Sequence, residues 1–179
     1  MTANDEWEVD RVIRLFNDTF RRSHRTILVG GGEEPLYLPA NHTSAWHRIV
    51  FTRDYVASAF HEIAHWCIAG ARRRQLVDYG YWYRPDGRGA GEQVEFQRVE
   101  RRPQAIEWAF SIAAGRPFRV SVDNLSGAPV DEEGFRRSVH GALLDFAGSG
   151  FPPRAARFID VLARSYGRRF EIPSLPPRF

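Results

Sequence analysis

Cysteine is almost absent from this chain. Cys67 is the only one in 179 residues, so no internal disulfide framework can hold the fold. That usage fits a reducing compartment, and the cytoplasm is the expected location. Long apolar runs are missing too. None approaches the roughly 20 residues that a membrane-spanning helix needs. The acidic start Asn4-Asp5-Glu6-Trp7-Glu8 is unlike a signal peptide, so no membrane association is expected. Lysine is absent altogether: all 25 basic residues are arginine, a usage in keeping with genomic base composition, and the formal net charge is only +3. No internal repeat or linker divides the chain, and 43% hydrophobic content suits a single core. One compact α+β domain over 1–179 is expected, with an irregular, proline-rich tail from about 170.

What is present centres on His61-Glu62-Ile63-Ala64-His65. Flanked by Tyr55-Val-Ala-Ser-Ala-Phe60 and Trp66-Cys-Ile-Ala69, the stretch reads as one helix. Residues at i and i+4 share a helical face, so both imidazoles can reach one metal ion. Glu62 is rotated away from that face. Asp54 or Thr52 is placed to cap the helix start, and Gly70 its end. Val56, Ala59, Phe60, Ile63 and Ile68 supply a buried side for a rigid ligand platform. This H-E-x-x-H pattern points to a metal-dependent catalyst. Cys67, two residues after His65, faces elsewhere and reads as a buried structural thiol.

Around that helix the pattern gives further elements. Apolar residues at helical spacing from Trp7 to Phe20 predict an N-terminal amphipathic helix over about 6–22. Thr26–Val29, Leu36–Leu38 and Arg48–Phe51 predict short strands of a small mixed or antiparallel sheet. Gly30-Gly31-Gly32 reads as a hairpin or mobile turn ending the first of them, since no Lys-Ser/Thr follows to make a phosphate loop. Helix is expected over about 90–101, broken or kinked at Pro103, and again over 104–114. Phe118–Val122 reads as a strand. Two helices close the chain, over about 131–147, ended near Gly148, and about 153–166.

Two histidines leave a metal under-coordinated, and a carboxylate is expected to complete the set. Asp78, Asp86, Glu92, Glu95, Glu100 and Glu107 all lie downstream. Glu100 is preferred because it falls on a second helix able to pack across the first, with Glu92, Glu95 and Glu107 as alternatives. Two histidines and one carboxylate are chemically ambiguous. With zinc they activate water, Glu62 then serving as the general base of a small metallopeptidase. With Fe(II) they leave positions open for dioxygen and substrate, as in non-haem oxygenases.

Further stretches join the histidine motif: Glu34-Pro-Leu-Tyr-Leu-Pro-Ala40, Arg48-Ile-Val-Phe51 and the long block from Tyr55 to Arg88. Val99-Glu100, Pro103-Gln-Ala105, Ala113-Ala-Gly-Arg-Pro-Phe118, Asp123-Asn-Leu125 and Arg154-Ala-Ala-Arg-Phe158 follow. In these stretches the chain resembles the bacterial elongation factor P hydroxylases. The matches run in order through most of the chain; the first twenty-odd residues and the tail match poorly. The resemblance implies hydroxylation of the modified lysine of elongation factor P, after β-lysine has been attached to it. By position it puts the metal ligands on His61, His65 and Glu100. It implies iron as the metal, although zinc or another divalent ion could occupy the site in a purified sample, with dioxygen as co-substrate.

On that reading Glu62 would orient a ligand or metal-bound water, or move protons. A long cationic side chain needs acceptors and aromatic faces, for which Asp78, Tyr79, Tyr81, Trp82, Tyr83 and Asp123 are the candidates. The arginine runs Arg72-Arg73-Arg74, Arg101-Arg102 and Arg168-Arg169 would steer an acidic protein partner. A module that binds RNA or the ribosome is a third reading of those runs, but no nucleic-acid motif accompanies them, so no direct nucleic-acid contact is expected.

Overall fold

The computed structural model describes residues 3–52, 55–80, 87–122 and 131–174. The N-terminal helix α1 (Ala3–His24) lays Val9, Val12, Phe16 and Phe20 into the core, the three-to-four-residue rhythm that its sequence predicts. Strands β1 (Thr26–Gly32), β2 (Leu36–Leu38) and β3 (His47–Thr52) form one mixed sheet in the order β1-β3-β2. β3 runs parallel to β1, with Leu28 opposite Ile49, and antiparallel to β2, with Tyr37 opposite Ile49.

The triple glycine does not end β1 in a hairpin. The strand runs through it with a register shift between Val29 and Gly32, and Gly31 adopts a positive φ of 80°. A Cβ at position 32 would lie 2.6 Å from a methyl of Val50 and 2.9 Å from the Glu34 carbonyl oxygen. Glycine here is a bulge and a close approach.

Helix α2 (Val56–Ile68) carries the two histidines and buries Val56, Ala59, Phe60, Ile63, Ala64, Trp66 and Cys67. Ile68 is only partly buried. Tyr55, not Thr52, is its N-cap, and it offers no side-chain bond; Asp54 lies outside the described residues. The other end closes differently from the glycine cap expected there. Gly70 is not left-handed. Instead the Arg154 guanidinium donates to the carbonyls of Trp66 (2.9 Å), Cys67 (3.0 Å) and Ala69 (2.7 Å) and lies over the Trp66 ring. Trp66 packs edge-on against Phe16 and Phe20, at 5.3 and 4.9 Å between ring centres. The residue after the second motif histidine is thus locked from both sides.

Helix α3 (Ala90–Ala114) runs through Pro103 as one element, with no break at the residue where a break or kink was expected. Its C-terminal half, from Ala105 to Ala114, is buried against α2, α4 (Glu132–Ser149) and α5 (Pro153–Tyr166), and that packing outweighs the missing N–H. α4 passes through Gly148 and ends at Gly150, which takes φ 94°. Residues 118–122 form no strand. Their would-be ladder partner is the buried side chain of Gln104, which accepts from Ser121 N (3.0 Å) and donates to Ser121 O (2.7 Å). One hydrophobic cluster joins the five α-helices of the described residues and the sheet, an α+β architecture. Among the described residues no helix is long and apolar enough to cross a membrane.

Candidate metal centre

His61 and His65 are one turn apart on α2, and Glu100 stands on the face of α3 that packs against it. Their polar atoms converge. His61 Nε2 lies 3.1 Å from His65 Nε2, and the Glu100 carboxylate sits 3.5 Å from the first ring and 3.2 Å from the second. Donors about 2.1 Å from a shared ion lie roughly 3.0–3.4 Å apart at tetrahedral or octahedral angles, so these separations suit a common cation. The three are the one group of histidine, cysteine and acidic residues able to hold a metal among the described residues.

Glu100 supplies a second test of fit. Its side chain is only 1% exposed, yet neither oxygen makes a hydrogen bond; both face the imidazole nitrogens instead. A buried carboxylate without donors is costly unless a cation answers its charge. Burial pushes the Glu100 carboxyl upward, but His65, then His61 and Arg88, outweigh burial and hold it below the usual carboxylate range. Arg88 is itself buried, anchored to Gln93 Oε1 and Val122 O at 2.8 Å each and packed 3.8 Å over the Phe96 ring.

Glu107 has a different part from the one its place among the alternatives gave it. Seven residues beyond Glu100, two turns along the same face of α3, its carboxylate bonds to His61 Nδ1 at 2.9 Å. That leaves Nε2 of the same ring turned toward Glu100. Burial alone would lower the His61 pKa. The hydrogen bond and charge of Glu107, with Glu100 and Glu62 behind it, raise it to about 10. The i,i+7 pair Glu100/Glu107 was the available signal, but spacing does not say which acid meets which nitrogen.

Glu62 stays out of the trio, as its rotation on the helix implies. It is half-buried, and burial raises its carboxyl above the usual range against the pull of His61 and His65. Asp78 and Tyr79 lie elsewhere than the metal trio. Asp78 Oδ1 accepts from Tyr37 N at 2.7 Å, while Tyr79 is buried and stacks on Tyr37 at 4.2 Å. Both sit in a tight turn, Val77–Gly80, with left-handed φ of 48° and 59°. Tyr81, Trp82, Tyr83 and Asp123 lie outside the described residues. Cys67 is a buried free thiol, pushed up to about 12 by burial. His47 serves the sheet, accepting from Ala40 N at 3.0 Å, and His140 contacts Pro173 O at 3.0 Å.

A cleft of about 1300 Å³ opens beside the trio. His65 and Glu100 lie in its wall, with Ile68–Arg73 on one side and Gly91, Phe96, Val99, Arg102 and Pro103 of α3 on the other. Of the expected substrate contacts among the described residues, neither Asp78 nor Tyr79 belongs to this lining.

Two comparisons with known proteins bear on the site. A family model described as elongation factor P hydroxylase matches residues 15–174. The elongation factor P lysine hydroxylase of Haemophilus influenzae (strain ATCC 51907 / DSM 11121 / KW20 / Rd) is 42% identical over 167 residues, covering 93% of this chain and 94% of that protein.

Proposed function

The chain belongs to the elongation factor P hydroxylase family, and from that premise we propose that it hydroxylates a lysine of elongation factor P at a centre held by His61, His65 and Glu100. The observation that carries the reading is the convergence of two imidazoles and a buried carboxylate beside an open cleft. Family membership favours this over the zinc peptidase, and over a bare RNA-binding module. The whole chain is proposed to work as one cytoplasmic unit.

The proposed metal is iron, because a bound Fe(II) ion supplies the redox chemistry that oxygen insertion into a C–H bond needs and that zinc lacks. Dioxygen is the proposed oxygen source, making the enzyme a monooxygenase-type oxidoreductase. The protein's own residues do the rest. Glu107 holds the His61 ring in one orientation with Nδ1 engaged, leaving Nε2 for the cation. Arg88 supports the charge of Glu100. Glu62, one residue from His61 and held toward its protonated form by burial, takes up or releases a proton beside the centre. Ile68, Phe96 and Val99 give the cleft apolar walls that keep water from the target carbon. Asp78, Tyr79, Tyr81, Trp82 and Asp123 are retained as candidate contacts to the lysine side chain.

The test is the mass of elongation factor P from cells with and without this protein. A gain of one oxygen on the modified lysine, lost in His61→Ala, is expected. No mass difference in a host that does attach β-lysine would sink the assignment.

A further inference from the structure

Four basic side chains gather around one aromatic cluster outside the cleft. Arg154, at the start of α5, and Arg74, past the end of α2, both donate to the Ala69 carbonyl oxygen. Two donors on one oxygen hold their nitrogens within about 6 Å of each other. Arg154 also lies 4.7 Å over the Trp66 ring, and Trp66 meets the His24 ring edge-on at 5.5 Å. Phe20 packs on both, 4.9 Å from Trp66 and 5.2 Å from His24, and Arg157 lies 5.7 Å over Phe20. Three arginines and a histidine, drawn from α1, α5 and the stretch after α2, thus share one corner. Arg157 is exposed and the other three are half-buried, so solvent reaches the group. None of the four lines the cleft whose wall contains His65 and Glu100.

Like charges this close repel unless an anion answers them. Among the described residues no carboxylate pairs with any of the four, and Asp160, one turn beyond Arg157, makes no ion pair with it. The carbonyls at the end of α2 engage Arg154 through Nη2 and Arg74 through Nη1, and they supply dipoles rather than a full counter-charge. His24 spends Nδ1 on Ser23 Oγ at 2.9 Å, which leaves Nε2 for another partner. Burial, followed by Arg154, Arg157 and Arg74, pushes the His24 pKa below its ordinary value, with no acid acting against them. We propose that Arg74, Arg154, Arg157 and His24 form an oxyanion site that takes a phosphate group. A carboxylate would bring one negative charge against three guanidinium groups. A phosphate brings close to two, with more acceptor oxygens, and guanidinium N–H pairs match their spacing. Two sources carry that chemistry: a small phosphorylated molecule, or the backbone of an RNA strand.

Inorganic phosphate titrated into the intact protein, against chloride at the same pH and ionic strength, tests the site by nuclear magnetic resonance. The His24 ring signals are expected to shift saturably. Arg157→Gln removes an exposed cation that no hydrogen bond ties to the fold, and is expected to raise the phosphate Kd about tenfold, the weight of one charged hydrogen bond. Arg101→Gln, the same charge change at an exposed position on α3, is expected to leave it within about twofold. Arg157→Glu builds the missing negative charge into the protein, so it should abolish phosphate binding and melt above wild type in chloride. A purely structural Arg157 would not give that rise. Anisotropy of a labelled single-stranded RNA of about 20 nucleotides then identifies the source. RNA binding that is tighter than phosphate, displaced by phosphate and weakened by Arg157→Gln upholds the site and assigns it to a polynucleotide. RNA no tighter than phosphate upholds it as a site for a small molecule. The absence of a saturable shift in wild type overturns the proposal. So does an equal loss in Arg157→Gln and Arg101→Gln, or an Arg157→Glu protein that melts below wild type.

Discussion

Removing the Glu107 side chain tests the proposed division between an acid that binds the cation and an acid that holds a ligand in place. The Glu107 carboxylate is 11% exposed and sits 2.9 Å from His61 Nδ1, while Nε2 of the same ring points to Glu100. In Glu107→Ala the ring loses its only described partner at Nδ1, and both its orientation and its basicity at Nε2 relax. Partners of this kind are worth about 10–100-fold in metal affinity, or about 1.4–2.7 kcal/mol. Glu107→Gln keeps a carbonyl acceptor at the same place and loses only the charge, so its cost falls at the lower end of that range. Glu100→Gln removes a proposed ligand outright and costs more than either. Competition between each protein and a chelator for Co²⁺ measures the series, with circular dichroism to exclude unfolded variants. The expected order of loss is Glu100→Gln, then Glu107→Ala, then Glu107→Gln. Glu107→Ala within twofold of wild type, or Glu107→Gln as damaging as Glu100→Gln, would refute the division of labour.

Three more outcomes follow from the geometry. Arg154→Ala strips three carbonyls at the end of α2 of a charged donor and should lower stability by about 2–3 kcal/mol in urea unfolding, with Arg154→Lys recovering part of it. Burial raises the Cys67 thiol from its ordinary 9.0 to about 12. Its stabilising share is therefore intact below pH 9 and is lost as pH climbs toward 12, so Cys67→Ala should flatten the alkaline loss of stability; native protein at pH 8 should resist thiol reagents. Asp78→Ala leaves Tyr37 N unpaired and a non-glycine residue at φ 48°, costing about 1–3 kcal/mol, whereas Asp78→Asn keeps most of the bond. Lost turnover in Asp78→Ala at unchanged stability would support that residue's place among the substrate contacts.

Legibility varied with the range of the interaction. The face of α1, the pair His61/His65 and the apolar side of α2 depend on rotation within one helix, and the sequence reading met the structure there. Errors gathered where a distant side chain took over a backbone's needs. Gln104 satisfies Ser121, so residues 118–122 need no strand partner. Arg154 closes α2, so Gly70 need not turn left-handed. Pro103 sits inside α3 because buried packing on both sides of it exceeds the cost of one lost bond. At Gly32 the approach of Val50 fixes the residue type, and that neighbour comes from a strand eighteen positions on.

The amino-acid order alone settled the family, the two histidines that share a helical turn, and the shortlist of acids, since each is a matter of local spacing or of residue identity. The resemblance already pointed to Glu100, and the packing of α3 on α2 supplied the geometry of the acids. It turned Glu100 to face both Nε2 atoms and Glu107 to the far nitrogen of His61, and it brought Arg72 and Arg102 to one cleft. The phase of one helix against another is set by side chains along the whole contact, and no short motif contains them.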